Sequence, residues 1–281
     1  MNVNAEQRIA YERDGVVALR QVVDAEWRER LAAAIEDDIR RPGPYYHGYA
    51  TAGAGRFHGN LRLWEHHPTF REFCLNSPLP EIARQLLGSR KLNLLYDQLF
   101  VKEPGTANRT RWHNDQPYWA VRGWQVLSFW IALDRTTLET GALEFVRGSH
   151  HWRRWFQPEA FGRNAAQDEY ERNPDYEPMP DIDTARGQYD IVSWTLEPGD
   201  VYAFHGLTVH GAGGNTTSHQ RRRGYTVRYT GDDAVYDARP GTNVHLRNPD
   251  LSDGQPLDSR QYPGIPRHSK DSSMNVRRGA A

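Results

Sequence analysis

Two histidines and one aspartate offer the clearest chemistry in this chain. His113 and Asp115 stand two apart in Arg111-Trp-His-Asn-Asp-Gln-Pro-Tyr-Trp119. His210 lies near the end of Gly199-Asp-Val-Tyr-Ala-Phe-His-Gly-Leu-Thr-Val-His-Gly211. Side chains two apart in an extended strand share a face, so an imidazole and a carboxylate are expected to point together. A second imidazole from a distant strand would complete two His and one carboxylate on one face of a metal. That set leaves coordination positions open and suits a non-haem Fe(II) that activates oxygen. A His-x-Asp pair alone is a short motif with many chance occurrences, and a surface histidine beside a turn acid reads the same. By spacing alone, His205 serves as well as His210.

The surroundings sharpen the reading. Trp112, Tyr118 and Trp119 flank the pair with bulk suited to a shielded cavity. Arg221-Arg222-Arg223 follows His210 and leads into the alternating run Gly224-Tyr-Thr-Val-Arg-Tyr-Thr230. A guanidinium holds a carboxylate through two parallel N–H bonds, which an ammonium cannot reproduce. A dicarboxylate co-substrate is therefore expected near the metal.

These segments resemble the phytanoyl-CoA dioxygenase family of Fe(II)/2-oxoglutarate-dependent oxygenases. The resemblance rests on Trp112-His-x-Asp115, Glu197-Pro-Gly-Asp200, Phe204-His-Gly206, His210-Gly-Ala-Gly-Gly-Asn215 and the Arg-Arg-Gly-Tyr225 strand. It extends to Asp14-Gly-Val-Val17, Lys102-Glu-Pro-Gly105, Trp130-Ile-Ala-Leu-Asp134, Gly141-Ala-Leu-Glu144 and Arg147-Gly-Ser-His150, so it runs from about Glu6 to Asp233. It implies His113, Asp115 and His210 as iron ligands and as the catalytic centre, with His205 a structural histidine. It also implies Fe(II), 2-oxoglutarate and O2 as the reacting set, with release of succinate and CO2. The expected reaction is hydroxylation of a small-molecule metabolite or natural product; desaturation, epimerisation and ring formation stay open. The intact Asp115 argues against a halogenase, in which a small residue leaves room for chloride.

The co-substrate arginine has two readings. Counting from His210 reaches Arg221, whereas counting back from Gly224 reaches Arg222. Neighbours on a strand face opposite sides, and the strand count favours Arg222, leaving Arg223 and Arg228 structural or solvent-facing. Trp130, Gln98 and Lys102 are further candidates for the co-substrate side, against an ordinary strand face. Tyr118, Trp119, Tyr45, Tyr46 and His47 are candidate substrate contacts, against plain packing. Asn215 could hold a tight turn or donate near the metal. Two other functions use the same residues: a non-catalytic jelly-roll binding protein or sensor, and a Zn(II) hydrolase, which leaves the arginine without a role.

Composition sets the frame. The 281 residues carry a formal net charge of −1, with 35 Lys+Arg against 36 Asp+Glu. That balance gives no reason to expect nucleic acid or a membrane surface as partner; a small molecule is expected, and the oligomeric state is open. A single cysteine, Cys74, forbids an intrachain disulfide and fits a reducing compartment. The first residues hold no apolar leader core and no run is long enough to span a bilayer, so the cytoplasm is the expected location.

The elements that must position these residues fall into two blocks. Residues 1–90 read as mainly helical, with Asn4–Arg13, a helix capped by Asp24, and segments from Thr69 and Pro80. Residues 91–233 read as strands: 92–102, 125–133, 141–146, 189–194, 200–204 and 225–229. Helices packed on a jelly roll follow, and the family resemblance implies the double-stranded β-helix, a mainly β fold with flanking helices. One catalytic domain over 1–281 is expected, with a polar insertion at 152–186, an extended C-terminal wrap over 234–281, and fraying from Ser272. The breaker-rich stretch from Arg40 to Asn60, with glycines at 48, 53, 55 and 59, reads as a lid loop.

Overall fold

Alternation along three neighbouring strands builds the frame of the site. The computed structural model describes residues 2–49, 55–159 and 170–267. Four helices come first in the chain: α1 (Ala5–Asp14), α2 (Ala25–Arg40), α3 (Pro68–Asn76) and α4 (Leu79–Leu87). The strands are β1 (Val16–Leu19), β2 (His47–Tyr49), β3 (Phe57–Leu61), β4 (Asn93–Lys102), β5 (Thr110–His113), β6 (Val121–Arg122), β7 (Val126–Ala132), β8 (Leu143–Val146), β9 (Ile191–Val192), β10 (Val201–His205), β11 (His210–Ala212), β12 (Arg222–Thr230) and β13 (Val235–Tyr236). They form a seven-stranded sheet, β1-β10-β7-β12-β4-β3-β2, and a four-stranded sheet, β5-β11-β8-β9, with β13-β6 as a separate pair. This is the expected jelly roll with helices on one side.

Helix starts follow local chemistry. Asn4 caps α1 and exchanges hydrogen bonds with Gln7, and Asp24 accepts from the Trp27 amide to cap α2; such caps satisfy amides that a helix start leaves bare. Gly15 ends α1 at φ 75, a conformation that L side chains avoid. A Cβ there would also meet His150 Nδ1 at 2.4 Å and Thr208 Oγ1 at 2.5 Å.

The larger sheet has two distinct faces. Leu99, Val101, Leu127, Phe129, Ile131, Val201, Ala203, Tyr225, Val227 and Tyr229 are buried in one cluster with Leu31, Ile35, Phe70, Phe73 and Ile82 of the helices. The alternate residues, Gln98, Phe100 and Lys102 on β4, Trp130 on β7 and Arg222, Thr226 and Arg228 on β12, line a cavity. Register fixes their neighbours: Arg222 pairs with Lys102, and Thr226 lies between Gln98 and Trp130.

Two expectations need correction. The stretch read as a lid loop contains a hairpin, in which β2 pairs with β3 and β3 pairs with β4 over Phe57–Leu61. It extends the large sheet; Gly53 lies outside the described residues. The C-terminal stretches at 241–249 and 258–263 are turns with one short helical turn, Val244–Leu246, not extended strands. They still pack inward, because Tyr262 is fully buried and Ile265 bonds to the Leu92 carbonyl. Within 152–186, Phe156 bridges to Glu177, so the described part is tied down. Residues 160–169, and the stretch from Ser272, lie outside the description.

Candidate active site

His113 ends β5, and β5 pairs with β11 so that His113 and His210 are direct partners. Asp115 departs from the expected geometry. It sits two residues past the strand's end, at φ −73 and ψ −40, and opens the helical turn Gln116–Tyr118. Extension along the strand therefore does not bring the carboxylate to the imidazoles; the turn does. One ligand atom from each of His113, Asp115 and His210 fits within 4.8 Å of the others, and all three residues are buried.

The imidazoles are oriented by their own backbone. His113 Nδ1 lies 2.8 Å from the Arg111 carbonyl and His210 Nδ1 lies 3.0 Å from the Thr208 carbonyl. A carbonyl there takes a proton on Nδ1 and leaves Nε2 with its lone pair, the form a metal binds. Both Nε2 atoms face Asp115 Oδ1, at 3.4 Å and 3.9 Å. Burial lowers the His210 pKa to about 3, with the neighbouring His113 adding to the shift, so this ring is neutral at ordinary pH. Burial would raise the Asp115 pKa, but Arg228 and the two imidazoles outweigh it and keep the acid ionised.

His205 is a structural histidine. Its Nε2 bonds to the Trp124 carbonyl at 2.7 Å, its Nδ1 accepts from the Leu207 amide at 3.0 Å, and its ring lies against Trp124. Both nitrogens are committed, and the ring is not part of the cavity wall.

The arginines separate cleanly. Arg221 points outward to Glu103 and Glu36, and Arg223 pairs with Asp134. Arg222 is 2% exposed and lines the cavity. Its described hydrogen bonds are long and go only to the carbonyls of Phe100 (3.2 Å) and Thr140 (3.5 Å). Burial pulls its pKa down to about 10, against a smaller opposing pull from Asp134. Lys102, 1% exposed on the facing strand, donates to the Gly213 carbonyl, and burial lowers its pKa with help from Arg222 and Arg109. Trp130 lies beside this pair, its indole 5.4 Å from the Arg222 guanidinium. It reaches there because Gly224 has no side chain: a Cβ at that position would meet the indole at 2.1 Å.

Of the expected substrate contacts, His47 and Tyr118 line the cavity; Gln98, expected on the co-substrate side, also stands on its wall. Three others lie elsewhere. Trp119 is fully buried behind the site and donates to the Tyr96 hydroxyl; Tyr45 packs on His66 and His245; Tyr46 is 39% exposed and packs on His58. Asn215 is a turn residue, bonded to the carbonyls of Lys102 and Gln220. The cavity wall also includes Phe57, Leu61, Tyr96, Leu143, Tyr170, Phe204, Asn243 and Leu246. Sequence reasoning missed Ser128, Thr226 and Arg228. Arg228 is 4% exposed and 3.4 Å from Asp115 Oδ2, not solvent-facing. Counting in twos from Arg222 would have turned Thr226 and Arg228 inward.

Similar proteins agree with this chemistry. The family model described as phytanoyl-CoA dioxygenase (PhyH) matches residues 11–224. The dioxygenase aneA of Aspergillus aculeatus is 27% identical over 230 residues, which is 76% of this chain and 68% of that protein. A probable phytanoyl-CoA dioxygenase of Caenorhabditis elegans is 25% identical over 255 residues, 82% of this chain and 76% of its own. The crystal structure of SnoK, a non-haem α-ketoglutarate-dependent carbocyclase from nogalamycin biosynthesis, is 27% identical and superposes with a TM-score of 0.73, covering 94% of this chain and 97% of SnoK. The chain belongs to the phytanoyl-CoA dioxygenase family of iron- and 2-oxoglutarate-dependent enzymes, and it is a dioxygenase.

Proposed function

We propose that the chain oxidises an uncharged, ring-containing small molecule, with His113, Asp115 and His210 holding Fe(II) and Arg222 holding 2-oxoglutarate. One observation carries the reading. The convergent triad shares its cavity with the buried Lys102, Arg222 and Arg228, yet among the described lining residues Asp115 is the only carboxylate. Buried cations are costly unless an anion joins them. A doubly charged co-substrate reaching from the metal to Arg222 and Lys102 supplies that anion.

The residues fit a divalent iron and a dicarboxylate. Two imidazoles and an ionised carboxylate are the right donors for a divalent iron, which, when bound, supplies the oxygen chemistry. The protein's part is placement. Arg222 and Lys102 fix the distal carboxylate, Trp130 walls one side of it, and the buried ligands keep water from the reacting centre. Zinc fits the same donors but gives Arg222 and Lys102 no task.

The substrate side is mostly apolar and aromatic. Phe57, Leu61, Tyr118, Tyr170 and Leu246 line it, with His47 and Asn243 as polar points. Its one cation apart from those above is Arg109, which is paired with Asp183 and largely exposed. This wall favours a ring system over a CoA phosphate. The natural-product enzymes among its relatives support the same class. Because Asn243 and Leu246 complete the wall, we read the whole chain as one catalytic unit. No described helix is long and apolar enough to cross a membrane.

The test is mass spectrometry of a panel of polycyclic metabolites incubated with protein, Fe(II), 2-oxoglutarate and O2. A ring-bearing product formed together with succinate is expected. Turnover only of acyl-CoA substrates, or turnover with Zn(II) and without O2, would overturn the reading.

A further inference from the structure

Arg228 is buried for a reason that stability does not supply. Its register on β12 sets it opposite Tyr96 on β4 and Ser128 on β7. The guanidinium lies 4.3 Å from the Tyr96 ring centre and 5.8 Å from that of Trp119, so its plane is clamped. Its only ion pair among the described residues is the 3.4 Å contact from Nε to Asp115 Oδ2. Nη1 is buried without a hydrogen-bond partner, as is the hydroxyl of Thr226 two residues earlier. Leaving a buried donor unpaired costs about 1–3 kcal/mol, and more when it is charged. An apolar side chain of similar size would serve the fold as well or better.

Its contact divides the two oxygens of Asp115. Oδ2 accepts from Ser128 Oγ at 2.9 Å as well as facing Arg228 Nε. Oδ1 is the oxygen that faces both Nε2 atoms. Resting on the metal reading above, we propose that Arg228, with Ser128, is a positioning residue that keeps Asp115 a one-oxygen ligand. Freed from both donors, the carboxylate could turn its second oxygen to the metal and take a position that 2-oxoglutarate needs. The arginine thus acts on co-substrate binding through Asp115, not by gripping the distal carboxylate as Arg222 does.

The test measures anaerobic binding, by calorimetry, of Fe(II) to the protein and then of 2-oxoglutarate to the Fe(II)-loaded protein. Wild type, Arg228→Met, Arg228→Lys and Ser128→Ala are compared, with melting temperature recorded for each. Expected for Arg228→Met is Fe(II) affinity within about threefold of wild type and 2-oxoglutarate affinity at least about tenfold weaker, a shift of about 1.4 kcal/mol. Arg228→Lys should recover part of the loss, and Ser128→Ala should show a smaller loss of the same kind. Should Arg228→Met fail to fold, the lysine and alanine variants carry the test alone. Lower melting temperatures with unchanged 2-oxoglutarate affinity would make Arg228 structural only and overturn the proposal. Failure of the wild type to bind 2-oxoglutarate with Fe(II) would instead overturn the parent reading.

Discussion

Single residues carried most of the legible chemistry. The His-x-Asp pair and the distal histidine stood out because few residue types bind metals, and the structure brings those three together. The geometric reason was different: a turn, not a strand, presents Asp115. Burial favours Arg222 as the co-substrate arginine, since Arg221 spends its charge on Glu36 and Glu103 while Arg222 faces the cavity. Replacing Arg222 by Leu should therefore raise the KM for 2-oxoglutarate sharply, by on the order of 2–5 kcal/mol for a buried charge pair broken on one side. Arg221→Leu should leave it nearly unchanged, because Arg221 and its half-buried partners Glu36 and Glu103 are not part of the cavity wall. Steady-state succinate kinetics on both variants decide this, and equal small effects would shift the role to Lys102. Of the two readings of Arg228, structural or solvent-facing, the second fails: a cation on an alternating strand usually faces water, but this one is buried. Trp119 was misread because an aromatic beside a metal motif packs as readily behind the site as in it.

Elements were legible wherever a period persisted. The long strands β4, β7 and β12 alternate, and the helices carry caps. The hairpin of β2 and β3 was not legible, since His47-Gly-Tyr49 and Phe57-His-Gly-Asn-Leu61 show no alternation and owe their form to pairing, β3 with β4 and β2 with β3. In β3, burial on both faces removes the signal that a half-exposed strand would give. A second element-scale feature links α1 to the sheet: Gly15 meets His150 and Thr208, and its carbonyl accepts from the His205 amide. Burial holds His150 at about 4 and His205 at about 3, each helped by a neighbouring imidazole. Both lie below the unfolded histidine value of about 6.5. The unfolded chain then binds more protons, so their contribution is intact above about pH 6.5 and falls as the pH drops toward the folded values. His205→Gln should flatten that fall by at most about 1.4 kcal/mol per pH unit. Urea unfolding of both proteins between pH 4 and 7 tests this; parallel curves would refute it.

At the scale of the molecule, the helices and the cavity share one sheet. One face of the large sheet buries the helices, and the other presents β4, β7 and β12 to the cavity, which the ligand-bearing β5 and β11 of the smaller sheet close from across. The cavity wall also draws on residues before and after the strand block, His47 and Phe57 at one end and Asn243 and Leu246 at the other. Composition and strand count made the jelly roll legible, and family motifs fixed its variant. The C-terminal turns were opaque because irregular backbone has no period to read.

In the proposed function, His113, Asp115 and His210 bind an iron to which 2-oxoglutarate chelates. The most direct measurement is the visible charge-transfer absorption that appears when Fe(II) and 2-oxoglutarate are added together without oxygen. Wild type and His205→Ala should both develop the band, and His113→Ala, Asp115→Ala and His210→Ala should not. A band that survives in His210→Ala but vanishes in His205→Ala, or that never forms in the wild type, would contradict the account.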